Sequence, residues 1–472
     1  MAVWTFRAAR SLADLFDESR SLRGVRLLLP PAHGFLQRFL EEFTMRYLIV
    51  PLLAFFAIVA HAGVKIDHWQ TANGARVYFV ANDALPILDI EVSFAAGTAY
   101  EPPAKAGLAS LTRGLLDTGA DDLDEEAIAA RLVDLGARLG GSLDTDRASL
   151  SLRTLTDAEL RSGAIELMAL LLARPSFPPA VLAREAARTM AAIREADTRP
   201  EAIAAKRFTA AIYPGHPYGL IPTVDTVAAV TRDDLIDFHR RHYSAVRATV
   251  AMIGAISRAE AEAIADRLTR DLPVGAPLVA LPKVSPPGTA VLRYEHPATQ
   301  AHIHIGLPLV RRSDEAIWPL LVGNYILGGG GFVSRLMKEV REKRGYAYSV
   351  WSTFTPRLVE GPFLIALQTR REQTGEALQV ARQVLDDFIA QGPTAKELAA
   401  AKKNLIDGQA LRIDSNAKLL GYLTLIGFYG LPLDYLDQFA HKIAAVRAED
   451  VRRVFAERLR PEHRLTVIVA GD

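Results

Sequence analysis

The segment 327-LGGGGFVSRLMKEVREKRGYAYSV-350 changes its periodicity partway along. After the four glycines, Phe332, Leu336 and Val340 recur every four residues, which predicts a helix with one apolar face. Glycine takes a left-handed backbone conformation at no steric cost, so Gly345 is expected to end that helix. Beyond it the side-chain period changes to two, as in a β-strand. The segment therefore predicts a helix that returns directly into a strand.

This helix-to-strand return brings two hydrogen-bonding side chains towards one space. Arg341 lies in the last predicted helical turns, and Tyr348 lies in the predicted strand 346–350. Their guanidinium and phenol groups are donors that could together hold a peptide carbonyl or its oxyanion. The alternative, from local sequence alone, is that Arg341 is a solvated helix charge and Tyr348 a core aromatic residue.

The same segment resembles the second-half signature of the inverted-zincin metallopeptidases, the family of pitrilysin and of the mitochondrial and bacterial processing peptidases. The glycine run, SRL, REKRG and a tyrosine seven residues after the arginine occur in the family's order. The resemblance extends from about Val64 to the end of the chain. It implies that Arg341 and Tyr348 complete a site whose zinc is bound by the first half of the fold.

The zinc motif of active relatives is missing at the matching positions. Active members carry H-x-x-E-H on a helix, where two histidines one turn apart share a metal and the glutamate polarises the attacking water. Here the aligned helix reads 107-GLASLTRG-114, with Ser110 and Gly114 at the histidine positions and Arg113 at the glutamate position. Ala192 stands where the third ligand is expected. The resemblance therefore implies no catalytic zinc in this chain, and no other cofactor is expected.

Other candidate sites in the sequence are weaker. His302 and His304 alternate on a predicted strand, and His239 and His242 are about one helical turn apart, but neither pair has an acidic third ligand nearby in sequence. No G-x-S-x-G, Walker A or dinucleotide-binding pattern is present. The chain has no cysteine, which excludes disulfides and thiolate chemistry, and a net charge of +1, which does not suggest a nucleic-acid partner.

Internal similarity predicts two similar lobes. The sequence 227-VAAVTRDDL-235 resembles 443-IAAVRAEDV-451, and each leads through an amphipathic helix into an apolar strand, 248–256 and 464–471 respectively. Strand pairs with intervening helices packed against one sheet face indicate an α+β fold, in which each lobe is a mostly antiparallel sheet covered by helices. This is also the fold that the resemblance implies.

Secondary structure is predicted along both lobes from the same periodicities. Helices are expected to dominate residues 397–445, with a short interruption at 421–429. The other principal predictions are strands at 76–80, 87–94, 149–154, 301–307, 347–354 and 363–369, and helices at 106–116, 125–135, 158–173 and 179–196.

The front of the chain predicts a secretory signal peptide. Met45-Arg46 precedes the apolar run 47–59 and an Ala-His-Ala sequence, the three parts of such a signal. The run is shorter than the roughly 20 apolar residues that span a bilayer. Translation is therefore expected to begin at Met45, and the protein is expected to be periplasmic or secreted, with no stable membrane span after cleavage. The alternative is an uncleaved anchor or a buried helix.

These features together predict five segments. The proline-rich stretch between the lobes is expected to be an extended linker. The segments are an over-extended, disordered start (1–44), a signal peptide (45–62), a first lobe with a degenerate zinc motif (63–272), the linker (273–288) and a second lobe with the arginine and tyrosine (289–472).

Three functional hypotheses remain open. In the first, the chain pairs with a zinc-binding subunit of the same family around an extended peptide, supplies Arg341, Tyr348 and a strand edge, and has peptidase activity only with that partner. In the second, it is a non-catalytic homodimer that binds peptides or supports a larger assembly. The core subunits of the respiratory cytochrome bc complex are relatives of this kind. In the third, it is a peptidase active alone through a relocated metal site.

Overall fold

The computed structural model describes residues 64–471 apart from positions 274, 276 and 277. The predicted signal peptide and the residues before it lie outside this part of the chain, so those interpretations stay predictions. Within it, the strands form two large sheets, one from residues 67–254 and the other from residues 290–470, and a two-stranded sheet at residues 119–124.

Thirteen β-strands occur in the described part of the chain. They are β1 (Asp67–Gln70), β2 (Arg76–Ala81), β3 (Ile87–Phe94), β4 (Gly119–Ala120), β5 (Leu123–Asp124), β6 (Arg138–Gly140), β7 (Ala148–Leu155), β8 (Ala248–Gly254), β9 (Ala290–Glu295), β10 (Gln300–Val310), β11 (Ala347–Phe354), β12 (Gly361–Arg370) and β13 (Leu465–Ala470).

Fourteen α-helices occur in the same part. They are α1 (Leu108–Gly114), α2 (Glu125–Asp134), α3 (Ala158–Ala173), α4 (Pro179–Ala196), α5 (Pro200–Ile212), α6 (Val224–Ala228), α7 (Arg232–His242), α8 (Arg258–Thr269), α9 (Ile317–Asn324), α10 (Thr374–Gln391), α11 (Ala395–Asp407), α12 (Asn416–Tyr429), α13 (Tyr435–Ala445) and α14 (Ala448–Arg458).

The two sheets have the same topology, which confirms the prediction of two similar α+β lobes. The first sheet has the strand order β1-β2-β8-β3-β7-β6 and the second has the order β11-β12-β10-β13-β9. Reading the second sheet backwards matches β9, β13, β10, β12 and β11 to β2, β8, β3, β7 and β6. The only parallel pairs in the two sheets are β2 with β8 and β9 with β13, so both sheets are mostly antiparallel.

Each sheet buries one face against helices of its own half. The first core packs β3, β7 and β8 against α1, α3 and α8, and the second packs β10 and β12 against α9, α10 and α14. Strand β8 is buried along its whole length, as is β13. Such strands are apolar on both sides, which requires a second layer on the opposite face.

That second layer comes from the other half of the sequence. Helix α5, which follows the first-lobe helices in sequence, packs Phe208 and Ile212 against Leu465 and Val467 of β13. Because α5 covers the second sheet, the halves cannot bury their sheets independently.

Helix α12 makes the reciprocal contact. It belongs to the second half of the sequence but packs Leu423 and Ile426 against Tyr78, Ala251 and Ile253 of the first sheet. The exchange of α5 and α12 joins the two halves through apolar packing on both sheets.

One buried carboxylate links three segments at this junction. Asp146, 1% exposed, lies just before β7 and accepts hydrogen bonds from the Tyr218 hydroxyl (2.5 Å) and the Tyr429 hydroxyl (2.9 Å). It also accepts one from the Leu358 backbone N–H (3.0 Å), between β11 and β12. Burial raises the pKa of Asp146, while these hydrogen bonds oppose that rise. The carboxylate therefore satisfies donors from both halves of the chain.

The helix predicted after Gly328 is only partly correct. The glycine run ends a helical segment rather than beginning one, because α9 continues as a wide π-type turn over Tyr325–Gly329. The chain changes direction at Gly331, which has a φ of +62°. A second π-type turn follows at Met337–Glu342. Phe332 is consequently 63% exposed and does not lie on a buried face.

The interruption predicted at residues 421–429 is wrong. Helix α12 runs through these residues and ends at Tyr429, and the helical breaks lie instead between α11 and α12 and between α12 and α13. Each glycine in a helix interior costs about 1 kcal/mol relative to alanine. The apolar face that α12 buries on the first sheet offsets this cost, which the local pattern does not reveal.

The Asp146 cluster predicts a specific sensitivity of the fold. In Asp146→Asn, an amide N–H₂ replaces one of the two accepting oxygens, so a buried donor loses its partner. We expect the free energy of unfolding to fall by about 2–4 kcal/mol, measured by urea denaturation followed by circular dichroism.

The matched control is Asp83→Asn, because Asp83 is exposed in the turn between β2 and β3. It should change stability by less than about 0.5 kcal/mol. Equal effects of the two substitutions would show that the Asp146 cluster does not join the halves.

Candidate functional site

The end of the quoted segment folds as the sequence predicts. Gly345 has a left-handed backbone (φ of +64°), and its N–H donates to the Arg341 carbonyl oxygen at 2.9 Å. The Tyr346 N–H donates to the Val340 carbonyl oxygen at 3.0 Å, which closes the turn before β11 begins. Arg341 and Tyr348 thus lie on either side of one tight return.

The structure brings the two predicted site residues into contact. The Cζ atom of Arg341 lies 4.7 Å from the centre of the Tyr348 ring and 5.0 Å from the centre of the Phe332 ring. Both distances are typical of cation–π contacts, which hold a guanidinium against a ring face. Tyr348 is 81% exposed, so it is not a core aromatic residue.

Arg341 and Tyr348 line one open cavity of about 480 Å³. Its other walls come from the Gly345 turn and from the adjoining ends of β10 and β12, which contribute Gln300, Gln368, Thr369 and Arg370. Two guanidiniums, two phenols, two amides and a hydroxyl line it without a carboxylate. Such a set of donors suits a carbonyl oxygen, an oxyanion or a carboxylate.

The four lining residues from β10 and β12 were not found from the sequence. Gln300 and Arg370 are opposite each other in the β10–β12 register, and the Gln368 side-chain N–H₂ donates to the Gln300 side-chain oxygen. A prediction of the antiparallel register would have placed them beside Tyr348, but periodicity within one strand does not give the register between strands.

The arginine of the SRL sequence fixes the segment in place. Arg335 donates to both carboxylate oxygens of Glu397, at 2.8 and 2.7 Å, and to the Gly392 carbonyl oxygen at 2.9 Å. Its guanidinium also lies over the Phe388 ring. The hydrogen bonds from Arg335, together with those from Thr394, lower the pKa of Glu397 from its ordinary 4.5 to about 2. Arg335 therefore ties the Arg341 segment to α10 and α11.

Strand β11, which carries Tyr348, lies at the edge of its sheet. Among the described strands it pairs only with β12. Ser349 and Trp351 are exposed along it. An edge strand presents unpaired backbone groups to which an extended peptide can add as a further strand.

The positions that bind zinc in active relatives have other surroundings here. Arg113 donates to the Ser149 carbonyl oxygen and, at 2.7 Å, to the Gly140 carbonyl oxygen, so it ties α1 to the β6–β7 hairpin. Ser110 and Gly114 lie on the exposed side of the same helix. A zinc ion does not fit this set, because a guanidinium, a hydroxyl and a hydrogen atom replace its ligands and base.

In the described residues, no three His, Asp or Glu side chains come close enough to share a metal ion. His304 packs edge-on against Phe208 of α5, with ring centres 5.6 Å apart. His239 Nε2 hydrogen-bonds with the Leu172 carbonyl oxygen at 2.9 Å, and His242 Nδ1 approaches the Ala95 carbonyl oxygen at 3.3 Å. Burial lowers the pKa of His239, His242 and His304 to about 4, as expected for neutral packing residues.

None of the helices in the described part of the chain has the length and apolar character needed to cross a membrane.

Comparison with protein families gives two matches that follow each other along the chain. A family described as "Insulinase (Peptidase family M16)" matches residues 77–223, and one described as "Peptidase M16 inactive domain" matches residues 229–405.

Individual relatives agree with these families. An uncharacterized zinc protease of Streptomyces coelicolor is 32% identical over 260 residues, 53% of this chain and 56% of that protein, so the match spans little more than half of that relative. A protein of Helicobacter pylori named a non-peptidase homolog is 24% identical over 86% of this chain and 94% of its own. A crystal structure from Pseudomonas fluorescens, described as a peptidase M16 inactive domain, has a TM-score of 0.83 at 35% identity and covers 86% of this chain and 98% of that one.

The Arg335–Glu397 pair predicts a pH-dependent stability. A carboxyl whose pKa is lowered by folding stabilises the fold above its unfolded pKa, and that contribution is lost as the pH falls from about 4.5 to about 2. Glu397→Gln should therefore lower the free energy of unfolding by about 1–3 kcal/mol at pH 7, with a smaller difference from the unsubstituted protein near pH 2.

Urea denaturation at several pH values measures this difference. Glu376→Gln, at an exposed position near the start of α10, is the matched control and should have little effect at any pH. A pH-independent loss in Glu397→Gln would contradict the ion-pair explanation.

Proposed function

Because the chain belongs to the peptidase M16 family, we propose that it is the non-zinc-binding subunit of a two-chain zinc metalloendopeptidase. Its partner would be a separate subunit of the same family with an intact H-x-x-E-H helix. The two chains would enclose an extended peptide, and cleavage would require both.

One asymmetry carries this proposal. The second half retains Arg341 and Tyr348, which are in contact and line an open cavity, with Tyr348 exposed and Arg341 half-buried. The first half has Ser110, Arg113 and Gly114 in place of the metal ligands and the base. A protein that had lost its catalytic role altogether would have no need of paired polar donors at Arg341 and Tyr348.

The geometry suggests how this chain would contribute. The Tyr348 hydroxyl and the Arg341 guanidinium would donate hydrogen bonds to the carbonyl oxygen of the scissile peptide bond. These bonds strengthen as negative charge develops on that oxygen, which lowers the barrier. The edge of β11 would align the peptide through backbone hydrogen bonds. Metal binding and water activation would belong to the partner.

The predicted signal peptide supports a periplasmic or secreted location for this pair. The pair would then bind its peptide substrates outside the cytoplasm. This part of the proposal depends on residues 45–62 and is independent of the site geometry.

A second candidate function is a non-catalytic scaffold or peptide-binding homodimer. The name of the Helicobacter pylori relative, a non-peptidase homolog that aligns over most of this chain, favours it. In that case the exposed side chains of Phe332, Val333, Tyr348 and Trp351 would serve as a contact surface for a protein partner.

Reconstitution distinguishes the two functions. The chain is co-expressed with an M16 subunit that carries H-x-x-E-H, preferably one encoded by a neighbouring gene, and each chain and the mixture are assayed on a quenched fluorescent peptide library. We expect cleavage only by the mixture. A stable homodimer that neither binds the zinc subunit nor stimulates it would favour the scaffold.

Substitutions in the reconstituted pair test the two named residues. Arg341→Ala and Tyr348→Phe should each lower kcat by about 10²-fold, the loss typical of removing one oxyanion donor, with a smaller change in KM. Lys338→Ala, at an exposed position of the same segment, is the control and should retain full activity. Unchanged cleavage by both site variants would refute their proposed role.

A further inference from the structure

A second, larger cavity lies on the second half of the fold, away from Arg341. Its volume is about 670 Å³, within the range of roughly 300–1,000 Å³ typical of small-molecule sites. It is bounded by α9, by the end of β11 and by α12 and α13. Its apolar walls include Ile317, Leu321, Phe354, Leu425 and Phe439.

The charged side chains in this cavity are all cationic: Arg312, Arg412 and Lys418. Lys418 pairs with Asp414 at 2.8 Å, outside the cavity lining. Over the described residues, neither Arg312 nor Arg412 has a carboxylate within 4.0 Å. Two guanidinium charges therefore border apolar walls without a counter-charge from the protein.

Arg312 has an unused donor. Its Nη2 donates to the Pro356 carbonyl oxygen at 3.3 Å, and its guanidinium lies 5.5 Å from the centre of the Tyr429 ring. Its Nε–H is buried and has no acceptor among the described residues. The guanidinium also hydrogen-bonds with Tyr435 in the cavity wall. Because the Nε–H has almost no accessible surface, a ligand carboxylate would accept hydrogen bonds from the Nη groups of Arg312.

We propose that this cavity binds a carboxylate attached to an apolar group. The carboxylate would accept hydrogen bonds from Arg312 and Arg412, whose planar donor pairs match its two oxygens. The apolar group would lie against Leu321, Leu425 and Phe439. A phosphate or a polyanion fits less well, because most of the wall offers it no donors and desolvation of its charge would be costly.

Two sources supply this chemistry, a free fatty acid and the C-terminal residue of a peptide. The cavity lies at the end of β11 opposite Tyr348, since Thr353 and Phe354 line it. The binding site does not depend on the proposed peptidase function, because it requires neither a partner subunit nor Arg341.

Isothermal titration calorimetry of the purified chain, without any partner, tests the proposal. The probes are decanoate below its micelle concentration, an acetylated peptide ending in leucine as the free acid, and the corresponding amides. We expect one acid to bind with a 1:1 stoichiometry and at least about tenfold more tightly than its amide. The acid that binds identifies the source.

Two substitutions locate the binding in this cavity. Arg412→Gln should weaken acid binding by about tenfold or more. Gly421→Leu should abolish it, because Gly421 lines the cavity on α12 and a Cβ there meets no atom within 4 Å, so a larger side chain enters the cavity without disturbing the fold.

Matched controls are available for both changes. Arg453→Gln removes an exposed arginine on α14, and Gly375→Leu places leucine at an exposed glycine of α10 where a Cβ is also unobstructed. Both should bind the acid normally. The proposal is overturned if neither acid binds, if acid and amide bind equally, or if Gly421→Leu leaves the affinity unchanged. None of these results would affect the reconstitution test for peptidase activity.

Discussion

The apolar contact between each sheet and a helix from the other half of the sequence holds this protein together. Helix α5 buries Phe208 on the second sheet, and α12 buries Leu423 on the first. Burying a leucine or phenylalanine side chain contributes about 1.5–3 kcal/mol, so either helix alone provides several such contributions. Separating the halves would expose both strands β8 and β13 on one face, along with the polar groups around Asp146.

This exchange also explains why a polar residue is buried at the junction. Tyr218, Tyr429 and the Leu358 N–H come from three distant parts of the sequence, and the Asp146 carboxylate accepts a hydrogen bond from each. Apolar contacts are non-directional, whereas these hydrogen bonds require one relative position of the segments. Leu358 lies in the connection between β11 and β12, so the cluster also constrains the edge strand that carries Tyr348.

The two halves use the helical connection between equivalent strands, β3 to β6 and β10 to β11, differently. In the first, α1 buries Leu108 and Leu111, and Arg113 donates a hydrogen bond to the Gly140 carbonyl oxygen of the neighbouring hairpin. In the second, the Arg335–Glu397 pair holds a segment in which Tyr348 is exposed and Arg341 is half-buried. The polar face of a helix can be substituted without loss of its apolar packing, because the two faces carry different residues.

The sequence by itself determined the α+β class, the two similar lobes, the return at Gly345 and the proximity of Arg341 to Tyr348. These depend on local periodicity, on a glycine that accepts a left-handed backbone and on motifs within a few dozen residues. Only the tertiary structure decided that α5 covers the second sheet and α12 the first, and that α12 continues through Gly421. It also decided that Phe332 is exposed and that Gln300 and Arg370 lie beside Tyr348. The physical reason is that apolar burial and strand register are set by partners far away in sequence, which can outweigh a local propensity worth about 1 kcal/mol.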